Sequence, residues 1–101
     1  MTVTVEWEKQ AQDDRETIFR YLAREAGVKV AVTADNKLSA LAGILKANPL
    51  AGVRAGRSEK QRKLVVPHFP FIIVYAAEKE HIRILRVLHT SQKIAGQYRR
   101  C

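Results

Sequence analysis

The stretch from Pro70 to Ala77, PFIIVYAA, is uninterrupted by any charged residue and constrains the fold more than any other part of the chain. An apolar run of this length, rich in β-branched and aromatic residues, suits a strand covered on both faces or nearly so. It belongs in the middle of a sheet. Two further strand candidates flank it, Gln61 to Val66 and His81 to His89. The His68-Phe69 connection after Pro67 and the polar Glu78-Lys79-Glu80 are both short enough for hairpin loops, so the three strands form an antiparallel meander.

The first half follows a different period. Thr2 to Trp7, TVTVEW, alternates like a short strand. From Glu8 to about Ala26, Ala11, Ile18, Leu22 and Ala26 recur at spacings of seven, four and four, with Asp13, Asp14, Arg15 and Glu16 mostly between them. That is an amphipathic helix. Asp13 and Asp14 in its first half and Arg24 near its end complement the helix dipole, and Gly27 ends it. A second helix over 28–47 carries Ala31, Ala34, Leu38, Leu41 and Leu45 on one face, and Asn48-Pro49 stops it. With one glycine between them, the helices form a hairpin. Residues 49–60, PLAGVRAGRSEK, read as a small, basic loop, and Thr90 to Cys101 as a polar short helix or tail.

These elements predict a single α+β domain over 1–101: a strand, a helical hairpin, then a three-stranded antiparallel meander, with the helices on one face of the sheet. The other face is left to bind. A chain of 101 residues has material for one core. No apolar stretch approaches the roughly 20 residues that span a bilayer, and the start lacks the pattern of a secretory signal. A cytoplasmic protein with no membrane partner is expected. The single cysteine, Cys101, excludes an internal disulfide, and His68, His81 and His89 lack the short spacings of a zinc site. No metal and no cofactor are expected.

Charge narrows the function. The formal net charge is +8 and the isoelectric point about 10.1. Residues 1–50 are balanced: Lys9, Arg15, Arg20, Arg24, Lys29, Lys37 and Lys46 stand against Glu6, Glu8, Asp13, Asp14, Glu16, Glu25 and Asp35. The entire excess therefore lies after residue 50, which marks the second half as the part that meets a polyanion or an acidic protein segment.

The order of elements, the length and the segment Arg62 to Gln92, RKLVVPHFPFIIVYAAEKEHIRILRVLHTSQ, together resemble the RelE/ParE superfamily of toxins from type II toxin–antitoxin systems. The resemblance covers nearly the whole chain. It implies a toxin neutralised by a small cognate antitoxin protein. Function divides within the superfamily: RelE-like members enter the ribosome and cut messenger RNA, whereas ParE-like members inhibit DNA gyrase without a recognised nuclease site.

Metal-free RNA cleavage uses the substrate's own 2′-hydroxyl, so the protein assists proton transfer and stabilises the extra negative charge of the phosphorane. Aligned through Val74-Tyr75, Lys63 falls where RelE-like members carry a catalytic lysine. The second lysine of that strand corresponds to Val65 and the arginine of the next strand to Ile72. The arginine at the end of the last strand falls near Thr90, with Arg86 and His89 as the charged neighbours. An imidazole with a pKa of about 6.5 serves as general acid or base, which makes His89 a catalytic candidate. The other reading of His89 is a strand-end histidine capping a backbone carbonyl. Strict alternation with Ile82, Ile84 and Leu88 toward the helices sends Arg83 and His89 to the open face.

Lys63, His89 and Arg86 are thus the catalytic candidates. Arg54, Arg57, Lys60, Arg62 and Arg83 are candidates for phosphate contacts, and Tyr98 for stacking on a base. The alternative for Arg54 to Arg62 is a loop that an acidic antitoxin covers. Tyr75 reads as core, His68 as a turn residue and His81 as solvated. The leading reading is a ribosome-dependent messenger-RNA endonuclease, with ribosome and message as partners. The alternative is a gyrase inhibitor acting by binding: Lys63 and His89 favour the first, Val65 and Ile72 the second.

Overall fold

Alternating and helical periods resolve into seven elements in a computed structural model of the chain, which describes residues 3–56 and 60–90. They run β1 (Thr4–Trp7), α1 (Lys9–Ala26), α2 (Val28–Ala47), β2 (Val53–Arg54), β3 (Gln61–Val65), β4 (Phe71–Glu78) and β5 (His81–His89). The strands form one mixed sheet in the order β1-β5-β4-β3-β2. The apolar run is central, as its composition requires. The meander β3-β4-β5 is antiparallel, while β1 pairs parallel to β5 at one edge.

Gly27 alone separates the helices, with φ +102°, a region that residues bearing a Cβ rarely adopt. The chain reverses there and the two apolar stripes meet one sheet face. Ala31, Ala34, Leu38, Leu41 and Leu45 are all buried, whereas on α1 only Ala11 is fully so, Ile18 and Leu22 packing at the rim. Leu38, Leu41 and Leu45 meet Phe71, Ile73, Tyr75, Ile82, Ile84 and Val87 in the core. Each large side chain so buried contributes about 1.5–3 kcal/mol. Arg15 ties the layers at one end: it donates to both Asp35 oxygens at 3.0 and 2.9 Å and to Ser39 Oγ at 3.0 Å, and lies 4.4 Å over the Trp7 ring.

Two features depart from the sequence expectation. The first lies in the 49–60 segment, which is not loop throughout, because Val53 and Arg54 pair with Lys63 and Arg62 as a fifth strand. A buried hydroxyl and a glycine make this possible. Tyr75 Oη donates to Pro49 O at 2.9 Å and accepts from Gly52 N at 2.8 Å, and Arg62 Nη1 donates to Gly52 O at 2.7 Å. A Cβ at Gly52 would collide with the Lys63 carbonyl oxygen, so only glycine allows the approach.

The second is a β-bulge in β5. Tyr75 pairs with Ile84 but Val74 pairs with Arg86, which leaves Leu85 as the extra residue. Strict alternation fails there, and every side chain beyond Leu85 changes face. Ile82, Ile84 and Val87 point to the helices; Leu88 instead packs with Val74, Ile72 and Leu85 on the opposite face.

Candidate functional site

Residues directly opposite one another on neighbouring strands share a face, so the pairing registers define the surface opposite the helices. It has three transverse rows: Val65, Ile72 and Leu88; then Val53, Lys63, Val74 and Arg86; then Gln61, Ala76 and Arg83. Glu6 extends the third row through its parallel pairing with Arg83. The first row is wholly apolar, and Val74 and Leu88 are buried.

Lys63 and Arg86 therefore lie in one row with Val74 between them. Two strand spacings separate their backbones, about 10 Å. His89 is not with them. It pairs with Phe71 and makes an edge contact with that ring, centroids 5.2 Å apart, on the face that carries the helices. The expectation that His89 shares the open face with Arg83 is corrected by the bulge at Leu85. The three catalytic candidates do not converge.

Arg86 is held by α1. Asp14 accepts from Arg86 Nε at 2.8 Å and Nη2 at 3.1 Å, and from the Val87 backbone N–H at 2.8 Å. This closes an edge of β5 that β1 does not reach, since the parallel pairing ends where Glu8 N donates to Ile84 O at 2.9 Å. Its place in the first half of the helix assigns Asp14 to the helix dipole. Yet it stands three after Ala11 and four before Ile18, a carboxylate within the apolar stripe, and that spacing signals a buried-side partner.

The phosphate-binding candidates have acidic or backbone partners of their own. Arg83 Nη1 lies 3.4 Å from Glu8 and its Nε 3.9 Å from Glu78, while Lys60 Nζ lies 4.0 Å from Glu78. Arg62 is bonded to Gly52 O. Of the described candidates, Arg54 and Lys63 alone have side chains with no hydrogen-bond or ion-pair partner among the described residues. Arg57 and Tyr98 lie outside the described residues. His81, expected to be solvated, is half-exposed between Thr4 Oγ1, 2.8 Å from Nδ1, and Glu6, 3.2 Å from Nε2. Among the described residues no three His, Cys, Asp or Glu side chains are grouped to hold a metal, and no helix is long and apolar enough to cross a membrane.

The model of the ParE toxin of type II toxin–antitoxin systems of the parDE kind matches residues 5–94. The chain belongs to this family. Among solved structures, this ParE-family chain is similar to one from the chromosomal ParDE system of P. aeruginosa, at 23% identity and a TM-score of 0.77 over 89% of this chain and 98% of that one. It also resembles a chain of the E. coli DinJ-YafQ toxin–antitoxin complex, with 19% identity, TM-score 0.61 and coverage of 97% and 99%. The YoeB dimer from Staphylococcus aureus matches at 14% identity and TM-score 0.57, over 85% and 94%. These similarities establish the shared α+β fold. No curated protein sequence matches significantly. The chain is thus a member of a family of toxins of type II toxin–antitoxin systems.

Proposed function

We propose that this ParE-family toxin disables its target by binding, with DNA gyrase as the target the ParE-like branch implies, and does not cut RNA. The observation that carries the reading is the composition of the face opposite the helices. Its first row is Val65, Ile72 and Leu88, and Val65 and Ile72 occupy the positions where RelE-like nucleases place a lysine and an arginine. A pentavalent phosphorane needs cations aimed at it in a water-poor site. Apolar side chains there supply none, but they suit a protein surface.

Two further observations point the same way. His89 stands on the other face against Phe71, out of reach of anything Lys63 touches. Arg86 presents two of its donors to Asp14. The nuclease reading retains Lys63, which shares a row with Arg86 and makes no ion pair among the described residues.

Two parallel assays with the purified chain decide between them. In a plasmid supercoiling reaction with gyrase, the toxin is expected to block supercoiling. In a cell-free translation reaction, ribosome-bound message is expected to remain intact. Codon-positioned cleavage of that message with undisturbed supercoiling refutes the proposal and restores the endonuclease.

A further inference from the structure

Of the three cations in the rows opposite the helices, two are occupied within the fold. Arg86 is held by Asp14, and Arg83 lies beside Glu8 and Glu78. Lys63, the third, makes no hydrogen bond or ion pair through its side chain among the described residues. Its surroundings are mostly apolar. Val53 and Val74 stand directly opposite it on the two flanking strands, where Cβ atoms lie about 4.5–5.5 Å apart. Val65 shares its face two residues along β3, and Ile72 opposes Val65. Gln61, two residues the other way, is uncharged.

The charge is also held in place. At Lys63 β3 is paired on both sides, and Gly52 approaches the Lys63 carbonyl so closely that a Cβ would collide with it. Val53 and Val65 are each 61% exposed, so the apolar frame around the lysine is open to a partner. A partner whose own apolar side chains cover that frame also strips water from the ammonium. This is unfavourable unless an opposite charge meets it. A nucleic-acid backbone is bound by a succession of cations, and the other two in these rows already face carboxylates. One protein carboxylate set among apolar side chains matches one ammonium set among valines.

We propose that Lys63 is the specificity-determining contact of this face: its ammonium pairs with one aspartate or glutamate of the cellular target, while Val53, Val65 and Ile72 cover the apolar side chains around that carboxylate. On the reading that the toxin acts by binding gyrase, on which this contact rests, the lysine recognises and does not catalyse. A surface that is apolar throughout is rejected, because it leaves the ammonium desolvated and unpaired.

The full chain and three variants are compared in a plasmid supercoiling reaction with purified DNA gyrase, reading the toxin concentration that halves supercoiling. Lys63→Met keeps the length of the side chain and removes its charge; it is expected to raise that concentration at least about tenfold. The ammonium has no described internal partner to lose, so this variant should melt like the parent, which separates lost binding from lost folding. Lys63→Arg retains the charge and should stay within about threefold of the parent, well short of the loss that follows an unpaired carboxylate. Lys79→Gln, at an exposed cation in the β4–β5 turn, should inhibit like the parent. A parent chain that leaves supercoiling undisturbed refutes gyrase binding and this contact with it. A parent that inhibits, with Lys63→Met inhibiting equally well, overturns the contact alone. Equal losses in Lys63→Met and Lys79→Gln would reduce the effect to net charge and overturn it too. A loss in Lys63→Arg as large as in Lys63→Met does the same, because the charge would then not be what the target reads.

Discussion

Asp14→Ala tests the contact that most shapes the surface. The carboxylate serves three donors: Arg86 Nε, Arg86 Nη2 and the Val87 backbone N–H. Its side chain is 16% exposed and that of Arg86 32%. Removing one partner of a fully buried pair costs about 3–5 kcal/mol, but an arginine one-third exposed recovers part of its hydration. The Val87 N–H loses a charge-assisted acceptor, about 1.5–3 kcal/mol. Alanine is a better helix former than aspartate by about 0.5 kcal/mol, which offsets a little of this. The expected net loss is about 2–3 kcal/mol, read as a lower urea midpoint at unchanged m and a melting temperature lower by about 10–20 °C. A double-mutant cycle then divides the contact. With Arg86→Ala already in place, removing Asp14 should cost only about 1–2 kcal/mol, the share of the Val87 N–H. A single-variant loss below about 1 kcal/mol, or additive effects in the cycle, would show that Asp14 neither caps β5 nor restrains Arg86.

Three other substitutions follow from the same structure. Tyr75→Phe keeps the buried ring but removes both hydroxyl bonds to Pro49 and Gly52; a loss of about 2 kcal/mol is expected, with faster amide exchange at Gly52, and unchanged exchange there would contradict the tethering role. His68 has φ +70° directly after Pro67, and Phe69 N donates to Val66 O at 3.3 Å, the geometry of a turn that favours glycine at that place. His68→Gly should therefore stabilise the fold by about 1 kcal/mol in urea titration, whereas destabilisation would mean the ring contributes more than the backbone strain costs. His89→Ala should retain full toxicity in a growth assay, because the imidazole faces Phe71 on the helix side; a non-toxic variant that still folds would return His89 to the chemistry.

What could be read from the chain follows from how each element reports its burial. The stripe from Ala31 to Leu45 names its own helix and face, because one periodic element packs on one surface. The run from Phe71 to Ala77 likewise names a central strand. The last strand is different, since Ile82, Ile84, Leu85, Val87 and Leu88 supply apolar residues to both faces and no glycine marks the extra residue. Either parity satisfies the composition, and only pairing with Val74 and Tyr75 selects the bulge. The position of His89 was illegible for that reason. The fifth strand was hidden by a similar dependence: Val53 and Arg54 have no strand signal of their own, and pairing arises from a tyrosine hydroxyl 23 residues beyond Gly52. Asp14 could have been found, since its spacing from Ala11 and Ile18 places a charge where only apolar groups or a paired charge belong. That single carboxylate links the halves of the chain. The balanced first half is thus more than support for a basic second half, because its Asp14 and Glu8 sit against Arg86 and Arg83. The +8 of the sequence therefore overstates the charge offered to a polyanion by the described surface, and the apolar row Val65, Ile72 and Leu88 across β3 to β5 is what remains for a protein partner.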